Sequence, residues 1–332
     1  MQLSANDISI GVTMYRRLDF LEQALASAVN QTVPVRVLLH DDGCLDRRAL
    51  DRMLAKFGGR VEYHRNEANV RQFGNMNLAI RRSPTPWISV LHDDDMLAPD
   101  FVERILEVAP EVDSCALFCG ATTFVSRDGE PFFHKNECPP GARWRMVPLR
   151  EFAAKNQFAF PGQLMHRETA LALGGFPQNS VYSGDWDMWF RLALAGGAAQ
   201  LAATLSFYRS HESDGRYTSE SNRSGRKAAC CAMQVKRNLA RLRASGQSVE
   251  FDRAEWLEKY GPLYRELLLN APRMPRWLLR YNRRILLRTR PATHSARMLH
   301  WMSRLLGNSG MRLAGRAHLL RGRLGMRMPQ TF

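Results

Sequence analysis

Three groups of carboxylates stand where chemistry can be done. His92-Asp93-Asp94-Asp95 follows the apolar run Trp87–Leu91, and Asp41-Asp42-Gly43 follows Val35–His40. Three consecutive aspartates repel one another. A hard divalent cation with oxygen ligands relieves that repulsion, and Mg²⁺ or Mn²⁺ holding a diphosphate fits the pattern. A lone aspartate here would need no ligand, since Asp95 or Asp100 would simply complement a helix dipole. Three in a row at the end of a buried strand argue for a site. The third group is Ser183-Gly184-Asp185-Trp186-Asp187-Met188-Trp189. Either acid could cap a helix, but two tryptophans beside two carboxylates are also a way to build a sugar-binding surface. Helical spacing from Leu192 puts Trp189 in the core. Asp185 is read as the site residue, and Trp186 stays open between the two roles.

The elements that must position these acids alternate. Ile8–Met14 is apolar and β-branched, and Leu18–Asn30 carries apolar residues at helical spacing. Val35–His40 reads as a strand, and Asp46–Phe57 as a helix with Asp46 as its N-cap. Val61–His64 and Trp87–Leu91 are strands; Asn75–Arg82 and Asp100–Val108 are helices. This alternation argues a doubly wound α/β sheet that is parallel in its first half. Ligands of such sheets bind outside the carboxyl ends of the strands, so Asp41-Asp42 and Asp93–Asp95 share one crevice. Further on, two β-rich runs flank Asp128-Gly129, a hairpin signal. Pro148–Lys155, Arg167–Leu173 and Asp187–Ala195 read as helices, and Leu201–Tyr208 as the last strand of the core. Ser210–Arg226 is a polar connection.

Composition narrows the class. Of 332 residues 45% are hydrophobic, which excludes disorder over the whole chain. The 6 cysteines show no CxxC pairing, so no zinc site is expected, and their low density suits a reducing compartment. The N-terminus lacks a basic region followed by an apolar core, so no secretory signal is expected. No run approaches membrane-spanning length. The net charge of +15 is unevenly spread: residues 1–220 carry 23 basic and 27 acidic side chains, and residues 221–332 carry 24 and 5. The basic third therefore needs its own explanation.

Four segments, VTMYRRLDFLEQALASAVNQT, VLLHDDGCLD, ISVLHDDDMLAPDFVE and LALGGFPQNSVYSGDWDMWFRLALAGG, together resemble the inverting family 2 glycosyltransferases of the GT-A fold. The resemblance covers about residues 7–213. It implies a GT-A type doubly wound mixed sheet with an added C-terminal helical, basic segment. The catalytic domain would be 1–215, with a nucleotide-sugar half of about 1–110 and an acceptor half of about 111–215, followed by a basic, mainly helical region 216–332. By position, the resemblance implies that Thr13 and Tyr15 line the nucleotide base, that Asp41 hydrogen-bonds it and that Asp42 supports the turn. Asp94 would coordinate Mn²⁺ or Mg²⁺ together with His211, while Asp93 and Asp95 complete the acidic rim around ribose and donor sugar. Arg71 and Asn75 fall where the family carries residues near the diphosphate; ordinary turn and capping chemistry is the alternative. Gly175, Phe176 and Trp186 would lie on the acceptor side, and Asp185 would be the general base. Three positions depart from the family pattern: Arg16 replaces a common Asn, His92 stands at the first aspartate of the DxD motif, and Gly184-Asp185 replaces Glu-Asp.

The expected activity is inverting transfer of a sugar from a nucleoside-diphosphate sugar to an acceptor hydroxyl. The acceptor would be a glycan or lipid-linked glycan, as in assembly of bacterial-type surface glycans. A nucleotidyltransferase would want a Gly-rich, Lys-bearing phosphate loop, which GVTMYRR is not. A non-catalytic sugar-nucleotide or glycan binder is the other alternative. In the basic third, Trp277, Leu278, Leu279, Tyr281, Ile285 and Leu286 share one helical arc, with Arg280, Arg283, Arg284 and Arg290 opposite. Met298, Trp301, Met302 and Leu305 repeat the spacing. Basic amphipathic helices with Trp and Leu suit an anionic membrane surface, here through 273–327. The expected location is cytoplasmic, peripheral on the inner face of the cell membrane. The competing uses of those apolar faces are packing on the catalytic domain or in a homodimer. No nucleic-acid motif is present, so no nucleic acid is expected.

Overall fold

The structure, a computed structural model, describes residues 1–136, 138–178, 183–210 and 226–247, with positions 301, 303–305, 307–309, 311 and 312. The chain divides into two compact units, 1–180 with 184–210, and 181–183 with 211–332. His211, Trp277–Arg290, Met298 and Met302 lie outside the described residues, as does most of the polar connection after Ser210.

The first unit begins with β1 (Ile8–Met14), α1 (Leu21–Val29), β2 (Arg36–Asp41), α2 (Arg47–Ala55), β3 (Val61–Arg65), α3 (Arg71–Arg82) and β4 (Trp87–His92). It continues with β5 (Met96–Leu97), α4 (Phe101–Val108), β6 (Leu117–Val125), β7 (Pro131–Lys135), β8 (Trp144–Met146), α5 (Leu149–Ala154), β9 (Leu164–His166), α6 (Arg167–Ala172), α7 (Gly184–Gly196) and β10 (Ala198–Arg209). In the second unit, α8 spans Arg226–Ala244. The sheet order is β3-β2-β1-β4-β9-β6-β10-β5, with β7 beside β6 and β8 beside β10. The nucleotide-side strands β3, β2, β1 and β4 pair in parallel. β9 enters antiparallel to both β4 and β6, and β10 returns parallel to β6.

β1 is the centre of the parallel half, and all seven of its residues are buried. Ile8, Ile10, Val12 and Met14 share a core with Leu21 and Leu25 of α1 and Phe101 and Ile105 of α4. On the other face, Gly11 leaves room for Ala79 of α3. A strand covered on both faces reads as a continuous apolar run, as β1 does. Asp46 caps α2 as expected, accepting from Ala49 N–H at 2.9 Å. The hairpin at Asp128-Gly129 joins β6 to β7 in antiparallel register.

Two helix starts differ from the sequence reading, and both matter for the site. α3 begins at Arg71 rather than Asn75, which carries Asn75 onto the buried side of the helix. α7 begins at Gly184 rather than Asp187, so Asp185 belongs to its first turn. No helix among the described residues is long and apolar enough to cross a membrane.

Candidate active site

Strand register brings the acids together. Thr13 pairs with His40 of β2 on one side and with His92 of β4 on the other, and Met14 pairs with Asp41. The chain therefore leaves the sheet at Tyr15, Asp42 and Asp93 in one row, at the carboxyl ends of three parallel strands. Tyr15 N–H donates to Asp93 Oδ2 at 3.2 Å, linking the first of these exits to the third. The Tyr15 ring is 41% exposed and lies against Gly43, with the Arg16 guanidinium 4.8 Å from its centroid. Arg16 holds φ 66°, a left-handed conformation that Asn adopts more readily than Arg. That explains the physical preference behind the Asn that the family pattern carries here.

Beyond β4, His92, Asp94 and Asp95 each offer one ligand atom, all within 4.8 Å of one another. Asp95 is 1% exposed; its Oδ1 accepts from Arg209 N–H at 2.9 Å, and its Oδ2 is buried without a hydrogen-bond partner, 3.7 Å from His92 Nδ1. A buried carboxylate oxygen with no donor is costly, and a divalent cation would satisfy it. The two carboxylates suit Mn²⁺ or Mg²⁺, and the imidazole beside them favours Mn²⁺ of the two. Burial, reinforced by the charge of Asp94, pushes Asp93 up to about 7. Burial likewise lifts Asp95 to about 6, against the pull of His92. For His92 burial opposes the charged form, but Asp95, Asp94 and Asp93 outweigh it and hold its pKa above the usual imidazole value. The cluster thus keeps protons near neutral pH, protons that a cation would displace.

Arg209 is the residue that sequence reasoning missed here. It is 3% exposed at the end of β10. Its Nε donates to Asp94 O at 3.1 Å, Nη1 to Arg127 O at 2.5 Å and Nη2 to Gln23 Oε1 at 2.6 Å, while its plane lies 4.4 Å from the Phe20 ring centroid. One guanidinium thus ties the acidic turn to the β6–β7 hairpin and to α1. Its only signal in the sequence is its place at the end of the last apolar strand, two residues before His211.

Several of the expected site residues make contacts within the fold. Asp41 is 0% exposed: Oδ1 accepts from Gly43 and Cys44 N–H at 2.8 and 2.6 Å, and Oδ2 from Tyr63 OH at 2.6 Å. Its carboxylate builds the turn after β2. Asp42 Oδ1 accepts from Asn66 Nδ2 and Val70 N–H, each at 2.9 Å, supporting the loop into α3. Asn75 is 3% exposed and donates to His40 O at 3.0 Å and Met14 O at 3.4 Å, pinning α3 to β1 and β2. Thr13 Oγ1 donates to Leu91 O at 3.2 Å inside the sheet. Arg71 is exposed at the start of α3, with φ 64°.

On the other side, Asp185 stands in the first turn of α7. Asn156 Nδ2 donates to its Oδ2 at 3.0 Å. Burial raises its pKa above the usual carboxylate value, while the Trp186 N–H and the Asn156 amide pull it back. Asp187 instead pairs with Arg191 at 2.7 Å, and Arg191 donates to Leu173 O and Gly175 O at 2.7 Å each. That triad locks the Gly174-Gly175 turn to α7. Gly175 has φ 71°, and a Cβ there would collide with Asn77 Oδ1, which accepts from Phe176 N–H at 2.7 Å. Phe176 and Trp186 are 1% and 2% exposed, and Trp186 Nε1 donates to Phe152 O at 2.6 Å. Gly175, Phe176 and Trp186 position α7.

The two ends of the site share an aromatic wall. His92 stacks on Phe160 (4.0 Å, 7°), Phe160 meets Phe176 at 6.0 Å, and Phe176 stacks on Phe73 at 6.0 Å. Gly184, beside Asp185, is pressed onto the Phe73 ring so closely that a Cβ would not fit. This accounts for Gly where the family pattern has Glu. A separate concavity of about 460 Å³, lined by Ile8, Arg36 and Val37 among others, lies at the opposite ends of β1 and β2, away from all of these residues.

Comparison with known proteins agrees with this arrangement. Residues 9–172 match glycosyl transferase family 2. No curated protein matches the chain. Among solved structures, S. aureus TarS 1–349 in complex with UDP-GlcNAc superposes with a TM-score of 0.64 at 13% identity, covering 97% of this chain and 93% of that one. The same protein in complex with UDP gives 0.60 at 13% identity and the same coverage. At that identity the likeness is one of fold, the mixed sheet of the GT-A glycosyltransferases.

Proposed function

This chain carries a family 2 glycosyltransferase domain, and from that premise we propose that it transfers a sugar from a nucleoside-diphosphate sugar to an acceptor hydroxyl, with inversion at the anomeric carbon. The observation that carries the reading is the aromatic wall, with the His92–Asp94–Asp95 cluster at one end and Asp185 beside the other. A uridine diphosphate sugar is the first donor to test, because a protein of the same fold is found with UDP-GlcNAc.

On the donor side, the exposed Tyr15 ring beside Gly43 gives a flat surface for the nucleotide base, and Arg71 stands free of the sheet for the diphosphate. A Mn²⁺ or Mg²⁺ ion held by His92, Asp94 and Asp95 would offset charge on the departing diphosphate. His211, two residues beyond Arg209, is the further ligand that the family resemblance implies. Arg209 keeps the acidic turn at a fixed height above the sheet through Asp94 O and Asp95 Oδ1. On the acceptor side, Asp185 takes the proton from the hydroxyl as its oxygen attacks the anomeric carbon. One attack from the face opposite the leaving group inverts the configuration, and no covalent sugar–enzyme bond is needed. The buried surroundings of Asp185 make it a stronger base than a solvated carboxylate. Glycans or lipid-linked glycans are the acceptors this reading expects.

The test is a panel of nucleotide sugars, UDP-GlcNAc first, incubated with the protein, Mn²⁺ or Mg²⁺ and glycan acceptors. Release of nucleoside diphosphate and the anomeric proton coupling of the product are followed by NMR. Inverted product, lost on chelation of the metal, is expected. Retained configuration would refute the single-displacement mechanism, and absence of turnover across the panel would favour a non-catalytic glycan or nucleotide-sugar binder.

A further inference from the structure

We propose that Asn156 is the positioning residue of the base: its amide holds Oδ2 of Asp185 and so fixes how the carboxylate is turned toward the acceptor hydroxyl. The inference rests on the reading of Asp185 as the base.

Asn156 Nδ2 donates to Asp185 Oδ2 at 3.0 Å. Asn156 Oδ1 is buried and has no hydrogen-bond partner. An amide is free to flip, and a buried acceptor left unsatisfied is unfavourable. The flipped amide would set Oδ1 against the Asp185 carboxylate, which is worse. Among the described residues, Asp185 is the hydrogen-bond partner that orients this side chain. Asn156 lies in the loop after α5, where no ladder of backbone bonds fixes it. Lys135 of β7 does so instead, its Nζ donating to Asn156 O at 3.1 Å. A second strand of the fold is thus recruited to hold a residue whose amide serves one carboxylate.

The charges around Asp185 leave this amide a distinct role. On α7 itself Asp187 is paired with Arg191. On α5 Glu151 pairs with Arg145, and Arg150 completes that helix's charges; Lys155 closes it. On α6 Arg167 pairs with Glu168, and β6 brings only the Cys119 thiol, held protonated by burial. Among the described residues, Lys135 is a cation whose charge reaches Asp185. Burial pushes the carboxyl up, and the Trp186 N–H and then the Asn156 amide restrain it. Loss of the amide removes a donor to the ionised form, so Asp185 takes up its proton at higher pH and the acid side of the rate profile moves up with it.

Two readouts test this. In protein labelled with [γ-¹³C]Asp, the Asp185 signal is assigned by its loss in Asp185→Asn, and its titration is compared between wild type and Asn156→Ala. The midpoint should rise by about one pH unit or more, the scale of a charge-assisted hydrogen bond. With the donor found in the panel above, the acid limb of kcat should move by the same amount, with the donor KM within about twofold; one pH unit corresponds to about a tenfold loss on the acid side. Asn156→Asp, nearly isosteric and so a guard against misfolding, should move the limb further, because two facing carboxylates share a proton. An unmoved midpoint and limb in both variants would overturn the proposal. If Asp185→Asn itself turned over normally, the assignment of the base would fail instead, and Asn156 would have nothing to position.

Discussion

His40 sits in β2 with 0% exposure and no hydrogen-bond partner on either ring nitrogen, stacked on His64 at 5.4 Å. Burial first, then the nearby His64 and Arg82 charges, hold its pKa down to about 3. Between about 6.5 and about 3 the unfolded chain binds a proton that the folded chain refuses, so stability is lost as pH falls through that window. One such group contributes a slope of about 1.4 kcal/mol per pH unit. His40→Phe should flatten the melting temperature against pH between about 6 and 4, and an unchanged slope would refute the assignment. Arg209 makes the opposite kind of contribution, a buried cation with a partner at every nitrogen. Arg209→Lys cannot serve Asp94 O, Arg127 O and Gln23 together. It should cost about 1–3 kcal/mol in stability and weaken Mn²⁺-dependent donor binding; unchanged Mn²⁺ dependence would separate Arg209 from the cluster. These two residues also mark what the sequence could convey about the site. Runs of acids after apolar strands pointed to turns that the strand register brings side by side, because repulsion between adjacent carboxylates is visible in one dimension. Nothing linear reveals that Asp41 accepts from Gly43, Cys44 and Tyr63, or that Asn75 donates to His40 O and Met14 O. Asn156 has no linear signal at all, since its partner is 29 residues away.

At the scale of elements, the Gly174-Gly175 turn and the start of α7 decide where Asp185 stands. Gly174 and Gly175 have φ 82° and 71°, but only Gly175 also has a neighbour in the way of a Cβ. Gly174→Ala should therefore cost about 1 kcal/mol, from backbone strain alone. Gly175→Ala should cost more, about 2–4 kcal/mol, because Asn77 must abandon Phe176. Denaturation of the two variants checks this; equal losses would contradict the packing account. The longer elements were legible because β1, β2 and β4 are buried on both faces and α1, α2 and α4 carry an apolar stripe. β5, β8 and β9 were not, since elements of two or three residues have no period to detect. The start of α7 was misplaced by three residues for a related reason: Gly184 reads as a breaker, yet it is there because the Phe73 ring leaves no room for a side chain.

Across the whole molecule, charge and chemistry are divided. Residues 1–220 hold the acids of the site with near balance, and residues 221–332 hold 24 basic side chains against 5 acidic ones. Of the apolar stripe expected there, Trp301 and Leu305 fall among the described residues, and each is 62% exposed. These two side chains are thus not buried within the chain, and we propose an anionic membrane surface as what they meet, with a second copy as the alternative the test decides. The full chain should float with vesicles containing anionic lipid at low salt, and Trp301→Ser with Leu305→Ser should reduce flotation severalfold. Equal flotation of wild type and variant would move the contact elsewhere in the basic region. The central claim concerns the reaction, and one comparison reaches it most directly: donor turnover and donor affinity of Asp185→Asn beside wild type, on the nucleotide sugar the panel selects. The account predicts turnover reduced by about a thousandfold or more, with donor Kd within a few-fold, because a proton acceptor is lost and the donor side is untouched. Turnover near that of wild type would contradict it.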